Sequence, residues 1–206
     1  MSLQAEIGRL RRASVCRIVR RRIREFERAS RGSEDSLFSE LCFCILTANY
    51  NAERAIHIQE EIDNGFITLP EKKLAAKLKA LRYRFPNTRA MYIVEARAWR
   101  GKLEGMLKAL QGDELRHWFA CNVKGLGYKE ASHFLRNIGY KDYAILDFHI
   151  IDVLVDNRLI RRPKTLSRKK YLEIERILRR FSRKVNLSMA ELDLYLWYME
   201  TGKVLK

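Results

Sequence analysis

The sequence predicts an all-α protein, and three observations support this fold class. Apolar residues recur at helical spacing over most of the chain. Proline is confined to positions 70, 86 and 163, which fall at apparent helix boundaries. No segment shows the sustained apolar–polar alternation between turn glycines that is typical of strands. We therefore expect helices joined by short turns along the whole chain.

The first half of the chain is divided into helices by its apolar pattern and by residues suited to helix caps. Segments 3–10 and 15–26 have helical apolar spacing with arginines on their remaining faces. Segment 36–48 is apolar on nearly all sides, which predicts a buried central helix. Three further helices are predicted, one capped by Asn51 and reaching 63, one over 71–81 opened by Pro70, and one capped by Asn87 and reaching 99.

The second half continues in the same way. Short helices fit 103–110 and 113–121, and another fits 129–138. Asp147 and Ser167 are suited to cap helices over 148–155 and 168–181. Ser188 and Glu191 form an S-x-x-E capping box for the last helix, which should end near Gly202.

The charge of the chain points to a polyanionic partner. Lys and Arg number 41 against 25 Asp and Glu, for a net charge of +16. A membrane surface is the competing partner, but membrane binders usually concentrate their charge on one amphipathic helix, and here it is spread over the chain. The arginine-rich N-terminus does not resemble a secretory signal, and no run of 18 apolar residues exists. We expect a cytoplasmic nucleic-acid-binding protein.

The four cysteines, Cys16, Cys42, Cys44 and Cys121, have irregular spacing. This spacing fits neither a disulfide framework nor a zinc or iron–sulfur site. All four have apolar neighbours in sequence, so we predict small, reduced core residues and no metal site.

The segment 123–131 is the most informative part of the sequence. Gly125 and Gly127 flank one leucine between two predicted helices, which favours a tight hairpin. Backbone N–H groups at the start of the second helix can bind a phosphate oxygen, which fixes position without reading sequence. Many helix–turn–helix corners have the same glycines for packing reasons alone. The hairpin by itself therefore leaves phosphate binding and simple packing equally open.

Two chemically capable residues follow the hairpin. Lys129 lies at its mouth, and Asp147 ends the apolar run 144–146. A lysine amine becomes a nucleophile when nearby cations or burial favour its neutral form. A carboxylate held nearby could stabilise positive charge on an opening sugar and move protons. Alternatively, Lys129 is an ordinary surface lysine and Asp147 only caps a helix.

With these residues in place, the chain resembles the helix-hairpin-helix DNA glycosylase superfamily. The resemblance rests on G-Φ-G-x-K followed by an apolar run and D-x-H over 123–155, and more weakly on the segment 46–49. It implies that Lys129 is a Schiff-base nucleophile and Asp147 the second catalytic group. It also implies that His149 contacts phosphate and that Asn49 fills the gap left by an extruded base.

Within this superfamily the chain resembles the compact 8-oxoguanine DNA glycosylase/lyases found mainly in archaea. Segments 42–49, 127–137 and 197–206 carry this likeness. No cysteine follows Cys121, so the iron–sulfur cluster of other branches has no ligands, and the chain has no room for an extra N-terminal β domain. Phe148 is a departure, because a polar residue is common after the catalytic aspartate. The likeness implies two helical lobes, about 36–140 and 1–35 with 141–206, and a DNA-binding cleft between them.

The resemblance implies a bifunctional repair enzyme that excises 8-oxoguanine from double-stranded DNA and nicks the strand by β-elimination. Neither metal nor organic cofactor is expected. Phe85, at a loop tip, is a second candidate to support the opened duplex. Lys206 and Trp197 are expected in the base pocket, where the terminal carboxylate could accept the Watson–Crick N–H groups of the flipped base.

The expected setting is a monomer bound to DNA in the cytoplasm of a prokaryote, in particular a thermophilic archaeon. Two alternatives stay open at this point. One is a sibling glycosylase/lyase for oxidised pyrimidines, because pocket walls come from several helices. The other is a non-catalytic helix-hairpin-helix module, which keeps Gly125 and Gly127 but gives Lys129 and Asp147 no joint role.

Overall fold

The structure, a computed structural model, describes residues 2–206, and within these residues it contains α-helices, one 3₁₀ turn and no β-strand. This confirms the all-α fold class. The helices are α1 Leu3–Arg12, α2 Val15–Ala29, α3 Glu34–Thr47, α4 Ala52–Ile62, α5 Gly65–Thr68, α6 Glu71–Ala80, α7 Pro86–Ala96, α8 Leu103–Ala109, α9 Gly112–Asn122, α10 Tyr128–Asn137, α11 Phe148–Asp156, α12 Arg168–Lys184 and α13 Met189–Thr201. None of these helices is both long enough and apolar enough to cross a membrane.

Most predicted helix caps are present. The Asn51 side chain accepts a hydrogen bond from the Arg54 amide at 3.0 Å. Ser167 accepts one from the Lys170 amide at 3.3 Å. Both reciprocal bonds of the Ser188 capping box form before α13. These caps were predictable because each bond joins residues only three apart in sequence.

The predicted cap at Asn87 is wrong. Helix α7 begins at Pro86, and Phe85 occupies the N-cap position without a side-chain hydrogen bond. Proline is favoured in the first helical position because its ring fixes φ and its missing N–H would have no partner there. The preference of Pro86 for this position therefore outweighs the capping potential of Asn87.

Helix α7 is also shorter than predicted. It ends at Ala96 and is followed by a 3₁₀ turn over Arg97–Trp99. The Arg97 side chain donates to the carbonyl oxygens of Phe66 and Leu69, at 2.8 and 2.7 Å. These contacts tie the turn to the end of α5. Helix α5 itself was not predicted, because a single turn is too short to show a period.

The chain forms two compact units, of which one comprises Ala29–Phe134. Its centre is α3, which contacts α4, α5, α7 and α8. From Leu41 to Thr47 every α3 residue is buried, which confirms the predicted central helix. The apolar character of α3 on all faces follows from this position, since each face packs against another helix.

The other unit comprises the residues up to Arg28 together with Leu135–Lys206. In it α13 packs against both α11 and α12. The two lobes expected from the sequence divide the chain near residues 36 and 140, whereas these two units divide it after Arg28 and after Phe134. A DNA-binding cleft between two lobes stays a prediction.

The cysteines have different environments. Cys42 and Cys44 are fully buried, and burial raises the pKa of the Cys42 thiol well above its usual value. Cys16 is half-buried, whereas Cys121 is exposed, so the predicted core position of Cys121 is wrong. Cys121 lies in the last turn of α9, and its sulfur is 3.5 Å from Nδ1 of His117. Among residues 2–206, no group of three or more His, Cys, Asp or Glu side chains could hold a metal ion.

Candidate active site

The hairpin between α9 and α10 is closed by a hydrogen bond of 3.1 Å from the Leu126 amide to the Val123 carbonyl. Gly125 has φ +88°, in the left-handed region that favours glycine. A Cβ atom at Gly125 would also lie 2.7 Å from Cδ2 of the Tyr92 ring. Glycine is thus required at 125 both by the backbone conformation and by the close approach of Tyr92.

Replacing Gly125 with alanine should therefore destabilise the Ala29–Phe134 unit. We expect a loss of about 2 to 4 kcal/mol in the free energy of unfolding, from left-handed strain and steric overlap together. Gly105→Ala is the matched control, because Gly105 lies inside α8 with no atom within 4 Å of an added Cβ. It should be neutral or stabilising. Denaturant titration measures both changes, and equal effects would contradict the packing argument.

Gly127 has a different role from Gly125. It is not among the residues with positive φ, and its amide donates a 3.1 Å hydrogen bond to Glu130 Oε2. The amide that we expected to face a phosphate is thus bonded to a carboxylate of its own helix. A third-position glutamate that binds the N-cap amide is a common capping arrangement.

Lys129 is the second residue of α10, and its Nζ lies 3.1 Å from Oε1 of Glu130. The side chains of Lys129 and Glu130 are 25% and 14% exposed, so both are largely buried. The structure therefore brings Gly127, Lys129 and Glu130 together at the start of one helix. Sequence analysis missed Glu130, although its place three residues after an N-cap glycine was a usable signal.

A buried arginine holds α9 against α10. Arg116 is 1% exposed, and it pairs with Asp113 at 2.7 Å. It also donates to Ser132 Oγ at 3.3 Å, and its guanidinium lies 5.1 Å from the centre of the Tyr128 ring. The orientation of the first turn of α10, which carries Lys129, thus depends on a charged residue buried within the unit.

Asn49 and Phe85 lie on two loops of the same unit. Asn49 is exposed with φ +57°, a left-handed conformation that asparagine adopts more readily than most residues. Phe85 is 36% exposed at the start of α7. Buried Arg89 of α7 donates to the Ala48 carbonyl at 2.9 Å, and Tyr83 donates to the Leu46 carbonyl at 2.6 Å. These bonds hold the two loops together.

In the other unit, Asp147 is the N-cap of α11, as predicted. Its Oδ1 accepts a 2.9 Å hydrogen bond from the Ile150 amide. The extended segment before it is held by side chains of α12. Tyr171 accepts from the Leu146 amide at 3.2 Å and donates to the Ala144 carbonyl at 2.6 Å, and Glu175 accepts from the Ala144 amide at 2.9 Å. Tyr171 and Glu175 therefore position Asp147, and sequence analysis missed both.

A second carboxylate, that of Asp193, lies near Asp147. Asp193 of α13 is buried and paired with Arg136. Burial, together with the negative charge of Asp147, raises the pKa of Asp193 to about 6, although Arg136 opposes the shift. Asp147 therefore lies close enough to this buried acid for its charge to raise the pKa of Asp193.

His149, two residues after Asp147, packs against two aromatic side chains of this unit. Its ring centre lies 4.7 Å from that of Trp197 in an edge-on contact and 3.9 Å from that of Phe148. Phe148 is 68% exposed, the largest value among the exposed large apolar side chains. The Trp197 indole N–H is buried and makes no hydrogen bond within residues 2–206. Lys206 is half-buried beyond α13, as are Val204 and Leu205.

Comparison with known proteins identifies the family. The sequence model of the family described as 8-oxoguanine DNA glycosylase matches residues 19–187. An 8-oxoguanine DNA glycosylase/AP lyase of Methanocaldococcus jannaschii is 50% identical over 208 residues, covering 100% of both chains. The protein of that name from Korarchaeum cryptofilum is 50% identical over 203 residues, covering 98% of this chain and 96% of the relative.

Solved structures agree with the sequence comparison. The crystal structure of the Methanocaldococcus jannaschii 8-oxoguanine glycosylase/lyase in complex with 15mer DNA containing 8-oxoguanine matches with a TM-score of 0.97, at 50% identity and full coverage of both chains. The 8-oxoguanine DNA glycosylase of Thermotoga maritima matches with a TM-score of 0.94, at 44% identity over 99% of this chain and 98% of that one. With this agreement over its whole length, the chain belongs to the 8-oxoguanine DNA glycosylase family.

Proposed function

We propose that this protein is a bifunctional DNA repair enzyme that excises 8-oxoguanine and then nicks the resulting abasic site by β-elimination. The observation that carries the proposal is the full-length likeness, at a TM-score of 0.97, to an enzyme whose structure holds DNA containing 8-oxoguanine. Lys129 and Asp147 supply the two kinds of group that this chemistry needs, an amine and a carboxylate.

The reaction follows from the chemistry of these two groups. The damaged nucleotide must leave the base stack before an enzyme can reach its sugar. The amine of Lys129 attacks C1′, and the bond from C1′ to the base breaks. Asp147 stabilises the positive charge that develops on the sugar and moves protons. The C1′–O4′ bond then breaks as O4′ takes up a proton, which opens the sugar and leaves an imine between C1′ and Nζ. This imine acidifies C2′, so that β-elimination breaks the bond to the 3′ phosphate. Neither a metal nor an organic cofactor takes part.

Binding of duplex DNA uses the net charge of +16 and a few local phosphate contacts. We assign these contacts to the hairpin around Gly125 and Gly127 and to His149. The exposed position of Gly127, the half-buried position of Gly125 and the half-buried imidazole of His149, two residues after Asp147, support this assignment. Asn49 and Phe85, held together by Arg89 and Tyr83, are suited to fill the space left by the extruded base.

Base recognition is assigned to Trp197 and Lys206. Support comes from the contact of Trp197 with His149, two residues from Asp147, and from the half-buried position of Lys206. An aromatic ring stacks on a flipped base, and this contact is worth about 1 to 3 kcal/mol.

Trp197→Leu should therefore slow excision of 8-oxoguanine about 5-fold to 100-fold while cleavage at a preformed abasic site changes little, since that site has no base to stack. The measurement compares both rates on duplexes of the same sequence. Trp99→Leu is the control, because Trp99 packs edge-on against Trp118 in the other unit. Equal losses of rate on both duplexes would show that Trp197 does not take part in base recognition. Lys206→Ala, measured in the same way, tests whether its side chain contributes.

The direct test of the proposed function compares three duplexes of one sequence, containing 8-oxoguanine, an oxidised pyrimidine or no lesion. We expect excision and nicking of the first, little action on the second, and none on the third, with no change in the presence of EDTA. Preference for the oxidised pyrimidine would replace the proposed substrate. Binding without cleavage of any duplex would favour a non-catalytic DNA-binding module.

We further propose that the enzyme acts as a monomer in the prokaryotic cytoplasm. Relatives from archaea and Thermotoga support the prokaryotic setting.

A further inference from the structure

Glu130 has two different partners at the start of α10. One carboxylate oxygen, Oε2, accepts the Gly127 amide at 3.1 Å, and the other, Oε1, lies 3.1 Å from Nζ of Lys129. The side chain is 14% exposed. Helix capping accounts for the first contact, because a glutamate in the third helical position commonly binds the N-cap amide. It does not account for the second.

The capping box of α13 shows what a glutamate does when capping is its whole role. There, Glu191 Oε2 accepts from both the amide and the hydroxyl of Ser188, at 2.9 and 2.7 Å. In α10 the amide of the N-cap residue Gly127 likewise binds Oε2 of Glu130. The difference is at the other oxygen, because Oε1 of Glu130 lies 3.1 Å from Nζ of Lys129. The contact with Lys129 is therefore additional to the capping role of Glu130.

The reaction requires two things of this amine. Its nitrogen must be held in one place, and it must lose a proton, because an ammonium has no lone pair with which to attack carbon. A lysine side chain has several rotatable bonds, so an ion pair at 3.1 Å restricts where Nζ lies. The same carboxylate is within hydrogen-bonding distance of the proton that must leave.

We propose that Glu130 positions the Lys129 amine and accepts the proton that Nζ loses before it attacks C1′. This inference rests on the nucleophile role proposed above for Lys129. In the free protein the two side chains form an ion pair. Bound DNA excludes water from both groups, and loss of water disfavours the charged form of each, which favours transfer of the proton to Oε1.

The step balances without any further reactant. An N–H bond of Nζ breaks and an O–H bond forms on Oε1. The lone pair of Nζ then forms the bond to C1′, while the electrons of the C1′–base bond leave with the base. The departing base takes the proton from Glu130, which returns to its carboxylate form.

The test replaces Glu130 with glutamine, which keeps a carbonyl oxygen for the Gly127 amide but neither attracts nor deprotonates the ammonium. Under single-turnover conditions on the 8-oxoguanine duplex, Glu130→Gln should lower the excision rate about 100-fold, the range of a lost proton acceptor. Its Kd for the same duplex should change less than about 3-fold, since the hairpin backbone is retained. In Glu130→Ala, added formate should restore part of the rate by supplying a carboxylate.

Glu191→Gln is the matched control, because it alters a third-position capping glutamate of another helix. It should lower the melting temperature about as much as Glu130→Gln and leave the excision rate unchanged. A wild-type rate in Glu130→Gln, or a lower rate in both variants that follows their loss of stability, would overturn the inference. Failure of formate to restore activity would overturn the proton-accepting role. Wild-type protein that neither excises 8-oxoguanine nor forms an adduct under borohydride would instead overturn the proposed function itself.

Discussion

Lys129→Gln is expected to abolish both strand nicking and covalent trapping by borohydride on 8-oxoguanine duplex DNA. Glutamine has no amine, so it can form no Schiff base, and the imine that borohydride would reduce never arises. In the wild-type protein we expect a reduced adduct whose attachment site maps to Lys129 by peptide mass spectrometry. This is the largest effect that we expect of any single substitution.

DNA binding should survive this change. The variant loses one positive charge from a net charge of +16, and the hairpin backbone is unaltered. Lys124→Gln is the matched control, because it removes one lysine charge from the same hairpin. Lys124 pairs with Glu95 at 2.9 Å and its side chain is 63% exposed. It should trap at the wild-type level. Unimpaired trapping in Lys129→Gln would assign the nucleophile to another amine.

Asp147→Asn is expected to slow excision of 8-oxoguanine by about two to four orders of magnitude, the usual range for an acid–base group. An amide carries no negative charge to stabilise the opening sugar and accepts no proton at neutral pH. The helix should remain, because asparagine is as good an N-cap as aspartate and can accept the hydrogen bond from the Ile150 amide. Excision rate and thermal unfolding are measured on the same preparation.

The control for Asp147 is Asp156→Asn, which makes the same substitution at the exposed C-terminal end of the same helix. It should leave the excision rate unchanged. If Asp147→Asn lost activity only in proportion to a fall in stability, Asp147 would be a structural cap and no more. Removing the negative charge of Asp147 should also lower the pKa of Asp193, because that charge helps to raise it.

The local features of this fold were predictable from sequence because they depend on residues a few positions apart. The caps at Asn51, Ser167 and Ser188 each join residues three apart, and the apolar spacing of each helix repeats within one or two turns. The hairpin at Gly125 and the cap at Asp147 are also local features, formed by residues a few positions apart in sequence. Pro86 and Asn87 give competing local signals, because both residues favour a helix start. The predicted cap at Asn87 was wrong, and the helix begins at Pro86.

Contacts between distant segments determined the other features of the fold and the site, and no pattern in the sequence predicts such contacts. Tyr171 and Glu175 hold the segment before Asp147 from a helix that lies more than twenty residues away, at separations of 25, 27 and 31. Arg89 ties the loop of Asn49 to that of Phe85 across 41 residues. Arg116, which no sequence motif singles out, is buried between α9 and α10.

By itself the sequence determined that the protein is helical and strongly basic. It also determined that Lys129 follows a glycine hairpin and that Asp147 caps a helix. These features were accessible because net charge depends on composition alone and helix signals depend on neighbouring residues. Only the tertiary structure decided that Tyr92 leaves no room for a side chain at Gly125, that Cys121 is exposed, and that Asp193 is a buried acid whose pKa Asp147 raises. These features depend on which surfaces meet after folding, and burial and close approach change the chemistry of a residue without changing its type.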